Sequence, residues 1–107
     1  MTKAEQSFQD SLRDLGCIAC RVSNGLRTDG DIHHMLSGGK RIGEMHVLCL
    51  CYTHHRSELN NAQVVSRHHW RREFERRYGT EADLLKLTQG LVAKQAARAF
   101  GAVADRD

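Results

Sequence analysis

Apolar residues return at helical intervals near the start of the chain, where Phe8, Leu12 and Leu15 are set among polar neighbours. The spacing predicts an amphipathic helix over 3–15 that Gly16 terminates. The period then lapses. Cys17 to Gly30 reads as a knuckle and loop punctuated by Asn24-Gly25 and Asp29-Gly30. Asp31 to Leu36 predicts a short strand and His46-Val47-Leu48-Cys49-Leu50-Cys51 a returning one, joined through the flexible, basic run Ser37-Gly38-Gly39-Lys40-Arg41 as a hairpin with a long tip. A short helix from Thr53 to Leu59 follows, with His54 and His55 about 100° apart around its axis. A second helix is predicted from Val64 to Tyr78, burying Trp70 and Phe74 and ended by Gly79. Thr80 with Asp83 marks the start of a last helix, about 81–100, whose apolar stripe is Leu84, Leu87, Leu91 and Ala96. Beyond about Phe100 the tail is expected to fray. The fold class is α+β.

At 107 residues the chain is one domain, 1–107, small enough that its core needs a staple. Met1 to Asp10 carry no apolar signal region, so the cysteines are expected to serve metal ligation in the cytosol rather than exported disulfides. With 27% charged residues, a mean hydropathy of −0.54 and no run of about 20 apolar residues, a membrane span is not expected. The net charge is +3, and the surplus is local: residues 1–30 and 80–107 each balance, while the middle of the chain is basic. A basic surface beside histidines points to a polyanion such as nucleic acid.

Two knuckles bracket that middle. Cys17-Ile18-Ala19-Cys20 and Cys51-Tyr52-Thr53-His54 each place two soft or borderline donors either side of a two-residue spacer, which lets both turn toward one tetrahedral zinc. Cys49, two residues before Cys51 on a predicted strand, is expected on the same face as Cys51. It reads as a buried core cysteine, with replacement of Cys51 or His54 in the ligand set as the alternative.

The remaining histidines suit phosphodiester hydrolysis. That reaction needs an activated water and something to neutralise charge on the phosphate and the departing oxygen. Histidine serves as base because its reference pKa of about 6.5 leaves it mostly unprotonated near neutrality. On a strand, His33 and His34 project to opposite sides, so one can ligate a metal while the other meets water. His55, on a different helix face from His54, is placed to return to the hairpin as a further ligand. His68-His69 is a weaker pair, able to complete a metal shell, to contact phosphate or simply to be solvated. Strand, strand, helix is also the order of the ββα-metal nuclease core.

The run Cys17-x2-Cys20, Ile32-His33-His34, Val47-Leu48-Cys49-Leu50-Cys51-x2-His54-His55 and Phe74-Glu75-Arg76-Arg77-Tyr78-Gly79-Thr80 resembles the HNH endonucleases, and within them the phage recombination-enhancement (Ref) nucleases that depend on RecA. The likeness covers roughly residues 15–90. It implies a zinc-stapled ββα-metal (HNH) core over about 17–79 with flanking helices. It also implies structural zinc on Cys17, Cys20, Cys51 and His54, and His34 as general base. A catalytic divalent metal (magnesium, manganese or zinc) would sit at His33 and His55, with His68 or Asp31 as a further ligand. The implied substrate is DNA, whether double-stranded, single-stranded or a D-loop, organised by a RecA filament in phage or prophage recombination.

Lys40 and Arg41 on the hairpin tip, and Arg67, Arg71, Arg72, Arg76 and Arg77 along the predicted second helix, are the candidate phosphate contacts. Such contacts give affinity without reading sequence, so low sequence specificity is expected. The competing reading is a non-catalytic zinc-knuckle module that binds nucleic acid or protein, which needs the zinc but not His34. RNA cleavage is a third, since nothing in the histidine chemistry excludes a ribose backbone.

Overall fold

Helix α1 (Lys3–Leu15) starts on a capping box in the computed structural model, which describes residues 1–104, with side chains through residue 98. Thr2 Oγ1 accepts from Glu5 N while Glu5 Oε1 accepts from Thr2 N, so two amides at the helix start are satisfied reciprocally. Gly16 ends the helix at φ +81, and a Cβ there would lie 2.6 Å from Thr28 O, so a side chain is excluded as well as strained. The expected loop after it contains a helix, α2 (Ile18–Asn24), because Cys17 Sγ caps it by accepting from Cys20 N at 3.4 Å.

Strand β1 (Asp31–His34) pairs antiparallel with β4 (Val47–Leu50), setting Ile32 opposite Cys49, His33 opposite Leu48 and His34 opposite Val47. Between them β2 (Leu36–Ser37) and β3 (Lys40–Arg41) form a second small sheet closed by Gly38-Gly39. Both glycines have positive φ, +60 and +80, as a tight two-residue hairpin loop requires. Helix α3 (Tyr52–His55) follows β4 directly and is shorter than the expected 53–59.

The segment 64–70 corrects the expected helix over Val64–Tyr78: only α4 (Arg71–Tyr78) is helical. Its upstream amides are drawn off by tertiary partners. Ser66 N donates to Leu59 O, Arg67 N to His54 O and His68 N to His55 O, at 2.8, 2.8 and 3.0 Å. Trp70 consequently stands 43% exposed at the helix start, while Phe74 is fully buried as expected. Helix α5 (Glu81–Ala104) begins at Thr80, whose hydroxyl accepts from Asp83 N at 3.1 Å. Its inner face carries Leu84, Leu85 and Thr88; Leu87, expected on that stripe, is exposed. The helix continues past the Phe100 limit, and the tail expected to fray lies, at residues 105–107, outside the described residues.

Strand alternation sorts the core onto two sides of the β1–β4 pair. Val47 and Cys49 pack with Leu12, Phe8, Ile32 and Val92 beneath α1, whereas Leu48 and Leu50 join Cys17, Cys20, Cys51, Phe74, Tyr78 and Leu84. The result is a small α+β fold with two short antiparallel sheets. Among the described residues no helix is long and apolar enough to cross a membrane.

Candidate metal centre and catalytic cleft

Cys17, Cys20, Cys51 and His54 are buried together, with one donor atom from each lying within 4.8 Å of every other. His54 Nδ1 is 3.7, 3.4 and 3.2 Å from the sulfurs of Cys17, Cys20 and Cys51. The sulfurs of Cys20 and Cys51 are 3.7 Å apart, far beyond a disulfide bond. A zinc tetrahedron sets sulfurs about 3.8 Å apart and sulfur to nitrogen about 3.5 Å apart, so the donor set fits that ion. The electrostatics agree. A hydrogen bond to Cys51, with burial, pushes the Cys17 thiol up, and the bond from Cys17 draws Cys51 down to about 2, helped by His54 and Thr53. Burial raises Cys20 too. A divalent cation supplies the charge that lets all three ionise.

Cys49 takes no part. β4 ends at Leu50, and Cys51 already caps α3, so the strand alternation that would align the two cysteines stops between them. Cys49 faces α1 instead, and burial pushes its thiol up to about 11.

Tyr78 completes the far side of the metal centre. Its hydroxyl lies 3.1 Å from His54 Nε2 and accepts from Val65 N at 3.2 Å. Were Nδ1 to ligate a metal, Nε2 would carry the proton and Tyr78 would fix the ring. Tyr78→Phe strands both groups in the core; we expect a loss of roughly 1–3 kcal/mol and zinc affinity weakened by about tenfold or more. A thermal melt and a chelator competition measure the two, and wild-type values in both would remove Tyr78 from this role.

A cleft of about 410 Å³ opens beside this centre, bordered by His33, His34, Arg41, His55, Arg56, Arg67 and His68 among others. The ring centroids of His33 and His55 are 4.9 Å apart at 75°. Burial, with the neighbouring His33 and arginines, holds His55 down at about 4, so its imidazole is neutral and has a lone pair to give. His33 and His34 each meet a carboxylate that the sequence did not reveal. His33 Nε2 is 2.8 Å from Glu81 Oε2 and His34 Nε2 is 3.0 Å from Glu44 Oε2. Burial works against ionisation of Glu81, yet the hydrogen bonds from His33 and Arg67 outweigh it and hold the carboxyl at about 2. Glu44 is lowered by its bond to His34 and then by Gln9, whose amide donates to both the Glu44 side chain and its carbonyl at 2.9 Å.

Other expected site residues fall differently. Asp31 is exposed at the far end of β1 and does not border the cleft. Among the described residues the Cys3His set is the only group of three or more donors this close, so His33, His55 and His68 share the cleft without forming a second such cluster. Arg67 lies before α4, not on it, and its Nη2 binds Glu81 at 2.7 Å. Arg71 pairs with Glu75, and Arg76 and Arg77 with Glu73. Lys40, Arg41 and Arg72 are exposed and make no ion pair among the described residues; nor does Arg56, which was not among the candidates and borders the cleft.

No curated protein and no solved structure matches the chain. Residues 1–93 do match one family, described as recombination enhancement, RecA-dependent nuclease. The match runs from α1 through the first half of α5 and so takes in the Cys3His centre, both histidine–carboxylate pairs and the cleft. With nearly its whole length accounted for in this way, the chain belongs to the family of recombination-enhancement, RecA-dependent nucleases.

Proposed function

We propose that the protein is a metal-dependent HNH endonuclease, a single domain that hydrolyses DNA phosphodiester bonds on substrates organised by RecA. The observation that carries this reading is the pair of adjacent strand histidines, each with its own carboxylate, in a basic cleft beside the zinc centre. β1, β4 and α3 correspond to the ββα core. With Nε2–H directed at Glu44, His34 keeps Nδ1 free to take a proton from water, and the carboxylate stabilises the imidazolium that results. His33, fixed by Glu81 through Nε2, presents Nδ1 on the other side of the strand. His33 and neutral His55 would hold a divalent cation, with His68, which borders the same cleft, as a candidate third donor. When bound there, such an ion neutralises charge on the phosphate and the departing 3′ oxygen.

Arg41 and Arg56 give the cleft unpaired guanidinium groups for backbone phosphates. Replacing either with alanine should flatten the dependence of log affinity on log salt by about 0.7–0.9 for each phosphate the protein no longer neutralises. An unchanged slope in both variants would place the DNA elsewhere.

The reading is tested by incubating zinc-loaded protein with single-stranded, double-stranded and D-loop DNA, with magnesium, with manganese or with neither, and with or without RecA filaments. Metal-dependent cutting that RecA enhances is the expected result. Folded, zinc-bound protein that binds DNA but cuts under none of these conditions would point to the zinc-knuckle binding module. A parallel RNA oligonucleotide decides whether the sugar matters.

A further inference from the structure

Trp70, the chain's single tryptophan, is partly exposed yet firmly oriented. Its Nε1–H donates to Glu58 O at 3.0 Å, and the Glu58 carboxylate lies 3.0 Å from His69 Nε2. Glu58 holds this position at φ +65, the one positive φ outside glycine among the described residues. Such a conformation persists only where surrounding contacts impose it. The loop carrying it is tied down before Glu58 by Ser57 N to Tyr52 O, and after it by Ser66 N to Leu59 O and by pairing of Asn60 with Val65.

A chain of contacts links the indole to the cleft. His68 borders the cleft, its ring centroid is 4.5 Å from that of His69, and His69 and Trp70 share Glu58. We infer that Trp70 is a stacking platform for one unpaired base of single-stranded DNA next to the phosphate held in the cleft; this rests on the nuclease reading above. The indole N–H is already used, so the ring offers a π face and no donor, which suits stacking on any base. The recess beside it, about 410 Å³, is lined by Glu58, His69 and Trp70, so the indole is its one large apolar surface. The carboxylate at this recess is engaged by His69, and exposed, unpaired Arg72 lies two residues on, available to a phosphate. Bases in a duplex have no free face, so the platform selects unpaired strands.

Because Trp70 is the sole tryptophan, its fluorescence reports from the platform itself. Zinc-loaded His34→Ala protein, in the absence of added magnesium or manganese, is titrated with a labelled thymidine 20-mer and with a 20-base-pair duplex. Emission is read for Trp70 and anisotropy for affinity. The single strand should quench the indole. Trp70→Ala should weaken single-strand binding by roughly tenfold and leave duplex binding unchanged, and Trp70→Phe should recover most of the loss. Normal zinc content in both variants certifies the fold. Single-strand binding without quenching, at equal affinity in Trp70→Ala, overturns the platform while the nuclease reading stands. Equal effects on both DNAs overturn the selection for unpaired bases. Failure of the wild type to bind or cut any DNA overturns the nuclease reading itself.

Discussion

Cys51→Ser should yield protein with no bound zinc and no cooperative melting transition. Zinc binding in small domains is worth roughly 10–16 kcal/mol at neutral pH, comparable with or larger than the whole stability of a domain, about 5–15 kcal/mol. Here the ion's ligands are also core residues: the three cysteines are buried in the same cluster as Leu48, Phe74 and Tyr78. Serine removes a soft donor and leaves two sulfurs and an imidazole packed without the charge that reconciles them. Cys49→Ala is the control, since that thiol lies on the opposite side of the sheet; it should cost only about 1 kcal/mol and leave zinc bound. Elemental analysis and a thermal melt are sufficient. A Cys51→Ser protein that melts cooperatively near the wild-type temperature would end the claim of a structural ion.

If His34 is the general base proposed above, His34→Ala should lower the cleavage rate by about 10²–10⁴-fold, the usual worth of such a group, with zinc content, melting temperature and DNA affinity close to wild type. The residue is only partly buried and sits at the edge of the sheet, so its loss opens no large cavity. Its ring is held by a relay that begins in α1, from Gln9 to Glu44 to Nε2. Single-turnover cleavage at saturating DNA separates chemistry from binding. If His34→Ala cuts at the wild-type rate while His33→Ala is dead, the base and ligand assignments must be exchanged.

What could be read from the chain was set by interaction range. The knuckle ligands were legible because each pair is three residues apart, and α1 because its apolar positions repeat within one helix. The helix wrongly extended back to Val64 had good local periodicity. It failed because Arg67 and His68 give their amides to the carbonyls of His54 and His55, partners a dozen residues earlier that no local pattern announces. Glu81 was hidden for the same reason, lying 48 residues from His33. Glu44 is nearer to His34 but sits in a connection held by its own backbone turns and by Gln9, 35 residues earlier. The alternation argument put His33 and His34 on opposite sides correctly and misjudged Cys49 and Cys51, because β4 ends between them.

The hairpin tip from Leu36 to Arg41 is exposed throughout and stands outside both core clusters. Its length is therefore nearly free to vary: doubling a flexible connection adds only about 0.6 kcal/mol of closure entropy. The pairing of β1 with β4 beneath it, and so the placement of His33 and His34, is fixed by residues that an insertion at Gly38-Gly39 leaves untouched. An insertion there would lengthen the finger while leaving the register that places His33 and His34 as it is.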